Sequence, residues 1–151
     1  MTTPNVLPLV PLMSIAARVG APVTIEVGAP GRRFIPILGG EVSGAMTGKV
    51  LEGGGDWQTV AADGTLEINA HYILDIDGHG RVEVRSDGLR HAPEDVLEAL
   101  DRGEDVDPSL YYFRTAIRLR GRSSSRLNNI LCLSRGRRAA QTVHLDVFEV
   151  G

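Results

Sequence analysis

The stretch Leu66-Glu-Ile-Asn-Ala-His-Tyr-Ile-Leu-Asp-Ile76, with Asp77-Gly78-His79-Gly80 and Arg81-Val-Glu-Val-Arg85 behind it, decides the fold. Leu66, Ile68, Ala70, Tyr72, Leu74 and Ile76 take alternate positions; Glu67, Asn69, His71 and Asp75 fall between them, with Ile73 as the exception. A helix would scatter these residues around its axis, whereas a strand sorts them onto two faces. The Asp-Gly-His-Gly tetrad supplies residues that tolerate left-handed backbone, and alternation then resumes at Val82 and Val84. The spacing predicts a β-hairpin.

Working outward, strands are expected over Leu12–Val19, Val23–Val27 and Arg33–Leu38, and later over Tyr111–Arg120, Leu127–Ser134 and Thr142–Val150. Val42–Leu51 reads as a strand bent by Gly44 and Gly48. Gly53-Gly54-Gly55 sits poorly inside a strand and marks a turn or a close backbone approach. One helix is predicted over Pro93–Leu100, with proline at its first position, acids in its first turn, and Arg102-Gly103 closing it. About nine strands with one short helix define an all-β chain, a barrel or a sandwich. Regular hairpin connectivity favours a single antiparallel β-barrel, since closure removes exposed edges. Residues 5–151 are expected to form this one domain, behind a flexible N-terminal extension over 1–4.

The 151 residues carry a net charge of −3, which is not the balance of a nucleic-acid binder. The charge is unevenly spread: seven acids against one arginine from Pro93 to Asp107, then eight arginines and no acid from Tyr111 to Arg138. Juxtaposed in the fold, the two runs would neutralise one another. The single cysteine, Cys132, lies in an apolar run and reads as a buried, unreactive thiol. His71, His79, His91 and His144 have no metal-ligand spacing, and no Gly-Lys-Ser/Thr phosphate loop is present; no metal or cofactor is expected. The run Val6–Val19 is interrupted by Pro8, Pro11 and Arg18, so no membrane span is expected and a cytoplasmic location follows by default.

Several stretches carry a resemblance: Pro36–Gly44, Gly48–Gln58 with its Gly-Gly-Gly-Asp-Trp-Gln, Asp87–Arg90, Asp107–Thr115 with its Tyr-Tyr-Phe-Arg-Thr, and Leu127-Asn128. In that order they span most of the chain. It resembles a family of small bacterial and fungal β-barrel proteins known as a domain of unknown function. The resemblance implies a barrel with a polar cluster, and the family-like positions are Asp56, Trp57, Arg114 and Asn128. Members carry an aromatic residue before the Leu-Asn pair, where this chain has Arg126.

Candidate site residues follow from chemistry and face. Asp56 reads as a carboxylate held by the glycine turn, or as a cap of that turn; Trp57 covers an apolar part of a ligand or fills the core. Glu67, Asn69 and His71 share a strand face, with His71 suited to acid–base work near neutral pH if that face looks inward. Arg114, on one face with Tyr112, can clamp a carboxylate through two parallel hydrogen bonds, or pair with Asp56 or Glu67. Asn128 can orient a carbonyl or serve an ordinary strand-edge hydrogen bond.

Three functions fit these residues. The first is a cofactor-free isomerase, lyase or cyclase. It would act on a small anionic or carbonyl-containing compound, with Asp56 or His71 moving a proton, Arg114 binding the anion, and Tyr112 and Asn128 stabilising charge on oxygen. The second is a non-catalytic barrel that binds a small organic ligand through the same residues. The third is a homodimeric interaction module built on uncovered strand edges.

Overall fold

The computed structural model describes residues 5–151; the extension expected over 1–4 lies outside the described residues. Ten strands run in chain order: β1 (Leu9–Val19), β2 (Val23–Glu26), β3 (Gly31–Ser43), β4 (Gly48–Val50), β5 (Gly55–Val60), β6 (Leu66–Ile76), β7 (Gly80–His91), β8 (Tyr112–Arg120), β9 (Cys132–Ala139) and β10 (Thr142–Val150). The helix α1 (Glu94–Asp101) lies between β7 and β8.

The β6–β7 hairpin forms as predicted, with Gly78 and Gly80 at φ of 78° and 74° in its turn. β7 runs further than the predicted Arg85, because residues beyond it pair with both β6 and β8, down to His91 opposite Tyr112. Every strand pair is antiparallel. The ring β1-β10-β9-β8-β7-β6-β5-β3 closes where β3 pairs back onto β1, giving an eight-stranded barrel flanked by the short β2 and β4. Among the described residues, β2 alone is paired on one side only, so closure removes most of the edges a strand-to-strand dimer would use.

Two expected strands come out differently. Val42–Leu51 is the end of β3, a turn with Gly44 at φ 105°, and β4. A Cβ on Gly48 would stand 2.1 Å from the Asp75 carbonyl oxygen, so only glycine lets β4 lie against β6 there. Leu127–Ser134 begins with a 3₁₀ turn over Arg126–Asn129, and its strand starts at Cys132. Side chains outcompete the ladder here: Ser125 accepts the Leu127 N–H, and Asn128 bonds both the Gly121 N–H and the Arg122 carbonyl.

The barrel interior has two halves. Around the β6–β7 turn it is solid hydrocarbon: Leu74, Ile76, Val82, Val84, Ile117 and Leu119 are at most 2% exposed. Burial of each such side chain stabilises the fold by roughly 1.5–3 kcal/mol. The other end is covered by α1, whose Leu97 and Leu100 are buried. Leu97 packs over Gly64 in the β5–β6 turn, where a Cβ would come within 2.7 Å of its methyl. Cys132 is 2% exposed, and burial pushes its thiol up to about 11.

The acidic and arginine-rich runs do not neutralise one another through ion pairs among the described residues. Arg126 and Arg135 pair instead with Glu149 and Asp146 of β10, and Arg102 pairs with its neighbour Glu104. Antiparallel pairing of β9 with β10 sets Arg135 opposite Asp146, whereas the acids of the α1 segment lie off the sheet.

Candidate functional site

The three glycines before Asp56 have separate tasks. Gly53 turns the chain at φ 117°. A Cβ on Gly54 would meet Tyr72 Cβ at 2.4 Å and the His71 carbonyl oxygen at 2.6 Å. Gly55 lies under the Phe34 ring, 2.1 Å from where its Cβ would be. The chain can therefore press against β6 and β3 and enter β5 with Asp56 and Gln58 on the inner face.

Asp56 and Gln58 help line an internal cavity of about 60 Å³ in the α1 half of the barrel. Its walls are mostly apolar, from residues such as Ile35, Ile37, Ile68, Phe113 and Leu145. Its polar groups are Asp56, Gln58, Tyr72, Ser86, Thr115 and two arginines, Arg90 and Arg138.

Asp56 Oδ1 accepts the backbone N–H of Asn69 at 3.0 Å, and Oδ2 accepts Nε2 of Gln58 at 2.6 Å. Gln58 is held in turn by Arg33 Nε at 2.7 Å. Burial raises the Asp56 carboxyl above the ordinary carboxylate range, against the opposing pull of Gln58, Asn69, Arg33 and Arg90. A carboxylate offers about four lone-pair sites, so each oxygen keeps acceptor capacity beyond its bond. The Tyr72 phenol is fully enclosed, and burial with the nearby Asp56 charge drives it well upward, so it stays a protonated donor. Ser86 Oγ donates to Thr115 Oγ1 at 2.9 Å, and Thr115 meets Ser134 Oγ at 2.5 Å, a buried hydroxyl chain across β7, β8 and β9.

Arg90 is 4% exposed. Its Nη2 lies 3.6 Å from Oδ1 of Asp101, beyond hydrogen-bond length, and its Nε has no acceptor in the protein among the described residues. Burial lowers its pKa to about 10, with Asp101 opposing and Arg138 and Arg33 reinforcing, so it is cationic at neutral pH. A buried donor left without a partner costs about 1–3 kcal/mol, and more when charged.

Of the residues singled out from sequence, Asp56 alone brings its side chain to this cavity. Trp57 is 48% exposed and neither covers the cavity nor fills the core; it packs at a tilt of 44° against Phe34 outside the barrel, centroids 4.5 Å apart. Glu67, Asn69 and His71 lie on the outer face of β6, and His71 pairs with Glu83 across the hairpin. Tyr112 and Arg114 also face outward, the guanidinium 5.1 Å above the Tyr112 ring and bonded to the Phe113 carbonyl. Asn128 spends both ends of its amide on the Gly121–Arg122 backbone. For the β6 and β8 residues the physical reason is shared: the apolar alternate of the strand, Ile68-Ala70-Tyr72 or Phe113-Thr115-Ile117, has to be buried, which turns its polar neighbours outward. Trp57 is turned outward because β5 sets Asp56 and Gln58 inside, and Asn128 is taken up by its 3₁₀ turn.

The unforeseen residues followed the same period. Val82 and Val84 continue to Ser86, Gly88 and Arg90, and Phe113 continues to Thr115. Extending the Arg81–Arg85 alternation by five residues places Arg90 inside. Among the described residues, no group of three or more His, Cys, Asp or Glu could hold a metal ion, and no helix is long and apolar enough to cross a membrane.

Fold and site define a class: closed eight-stranded antiparallel barrels that keep a polar-sided cavity at one end. The chain belongs to the family described as protein of unknown function DUF3237, whose pattern matches residues 7–150. A UPF0311 protein of Bradyrhizobium diazoefficiens is 41% identical over 143 residues, covering 92% of this chain and 93% of that protein. A conserved protein of unknown function from Rhodopseudomonas palustris superposes with a TM-score of 0.90 at 36% identity, covering 99% of this chain and all of that one. An enzyme from Penicillium herquei shares the fold at 19% identity and TM-score 0.72, covering 100% of this chain and 99% of that one.

Proposed function

We propose that the cavity is the active site of a cofactor-free isomerase, lyase or cyclase acting on a small carbonyl- or carboxylate-containing organic compound. Asp56 moves the proton. The observation that carries this reading is a desolvated carboxyl, raised above its ordinary range, with spare lone pairs in a mostly apolar cavity. Raising the pKa makes this carboxylate a stronger base than an exposed aspartate, and its return of the proton correspondingly useful. The protonated Tyr72 phenol, which also lines the cavity, donates to oxygen charge that develops as the proton leaves carbon. The Penicillium herquei neighbour, described as an enzyme, adds support at the level of the fold.

The test is deuterium incorporation into pyruvate, acetoacetate and crotonate in D₂O, followed by NMR, with wild type against Asp56→Asn. Wild type should exceed buffer, and the variant should lose at least about 100-fold of the excess. Equal exchange by the two proteins across the panel refutes the assignment. The mostly apolar wall also suits a non-catalytic binding barrel. Saturable binding of the panel without exchange above buffer would select that second reading.

A further inference from the structure

We infer that Arg90, with Arg138 beside it, is a carboxylate-binding subsite at the α1 end of the cavity, and that Asp101 competes with the ligand for Arg90. This rests on reading the cavity as a ligand site, and it names the substrate class as small organic acids with an apolar body.

Arg90 is nearly fully buried, lines the cavity, and leaves its Nε without an acceptor among the described residues. A guanidinium carries five donors in a planar fork that matches a carboxylate edge to edge. The acidic side chain closest to engaging it, Asp101, stands 3.6 Å away and is itself 62% exposed. A rim partner at that distance holds weakly and exchanges readily. Arg138 lines the same cavity, with its own Nε tied to the Ala140 carbonyl at 3.1 Å. Arg33 stands behind them, its Nε already spent on Gln58. Two carboxyl groups face these three cations, Asp56 and Asp101. Asp56 is engaged by Gln58 and the Asn69 N–H, and Asp101 stays at the rim. The cluster therefore presents more cationic donors than the protein accepts.

The rest of the wall is mostly apolar, with Phe113, Leu145 and Ile35 among its residues. The volume of about 60 Å³ takes an acid of a few heavy atoms directly. That is less than half of a dry cavity of about 150 Å³ known to admit benzene, so ring-sized acids need α1 to yield. Asp101 is the last residue of α1, so a ligand carboxylate that displaces it also loosens the helix from Arg90.

The experiment is titration of the full chain with propionate and benzoate, and with propionamide and benzamide as neutral isosteres, by calorimetry and amide chemical shifts. The acids should bind at least about 10-fold more tightly than the amides. Asp101→Asn, a change at an exposed position, should tighten propionate about 3–10-fold by removing the competitor. Arg90→Met should lose at least about 30-fold, with Arg90→Lys intermediate. Equal affinity for acids and amides, unchanged affinity in Asp101→Asn, or no binding of either acid at tens of millimolar overturns the inference. Failure of the Asp56 assignment is distinguishable: acids then bind through Arg90 with no deuterium exchange. Exchange that persists while Arg90→Met binds propionate normally sinks the subsite alone.

Discussion

The backbone N–H of Asn69 donates to Oδ1 of Asp56 at 3.0 Å, at a point where the β5–β6 ladder is open between the Asp56–Ala70 and Thr59–Glu67 pairs. The carboxyl fills a gap in the sheet's own hydrogen bonding and faces the cavity at the same time. Its position is thus set by backbone, which is a firmer support than a side-chain pair.

That arrangement predicts a pH signature. Burial raises the folded-state pKa of Asp56 above its ordinary 3.8, so the folded protein holds this proton after the unfolded chain has released it. The associated stability is fully present below that ordinary value and is lost as pH rises through the higher folded one. Urea denaturation of wild type and Asp56→Asn from about pH 3 to about pH 8 should show wild type losing stability relative to the variant as pH rises. Parallel curves would mean that Asp56 titrates alike in both states.

Gly54→Ala should destabilise the protein by about 2–4 kcal/mol, because the new methyl has to displace β6 backbone rather than a flexible side-chain tip. Thermal unfolding reads this directly. A loss under about 0.5 kcal/mol would show that β5 can shift without consequence.

His71→Ala and Arg114→Ala should leave propionate binding and deuterium exchange within about twofold of wild type. His71 and Glu83 are a solvent-exposed pair, 44% and 39% exposed, of a kind that contributes at most about 1 kcal/mol. Exchange assays on the two variants decide this, and a loss above tenfold in either would return the site to the outer face.

Arg90→Met should raise stability by about 1–2 kcal/mol while abolishing acid binding, since a buried and poorly paired charge is replaced by an apolar side chain of similar length. Denaturant midpoints at neutral pH report it. A destabilised variant would show that Arg90 is satisfied inside the protein and not held for a ligand.

Much of the fold was legible from local pattern. Period two in Leu66–Ile76, the Asp-Gly-His-Gly turn and the helix after Pro93 are all local signals, and all three appear, the helix one residue later than read, with Pro93 as its N-cap and not its first residue. The site was less legible. Asp56 was recoverable because the glycines before it constrain few residues at short range. Arg90 lay on the same period, but that β7 keeps its period past Arg85 is decided by its pairing with β6 and β8 and is not marked locally.

The amino-acid order by itself determined which side chains share a strand face. Only ring closure decided which face turned inward. A two-residue period only sorts side chains into two sets: in β8 the set Phe113, Thr115, Ile117 and Leu119 is the more apolar, but whether an apolar set lines a packed core or a ligand cavity is not written within one strand. The choice is made when eight strands bury their apolar alternates together, and that energy is shared among residues far apart along the chain.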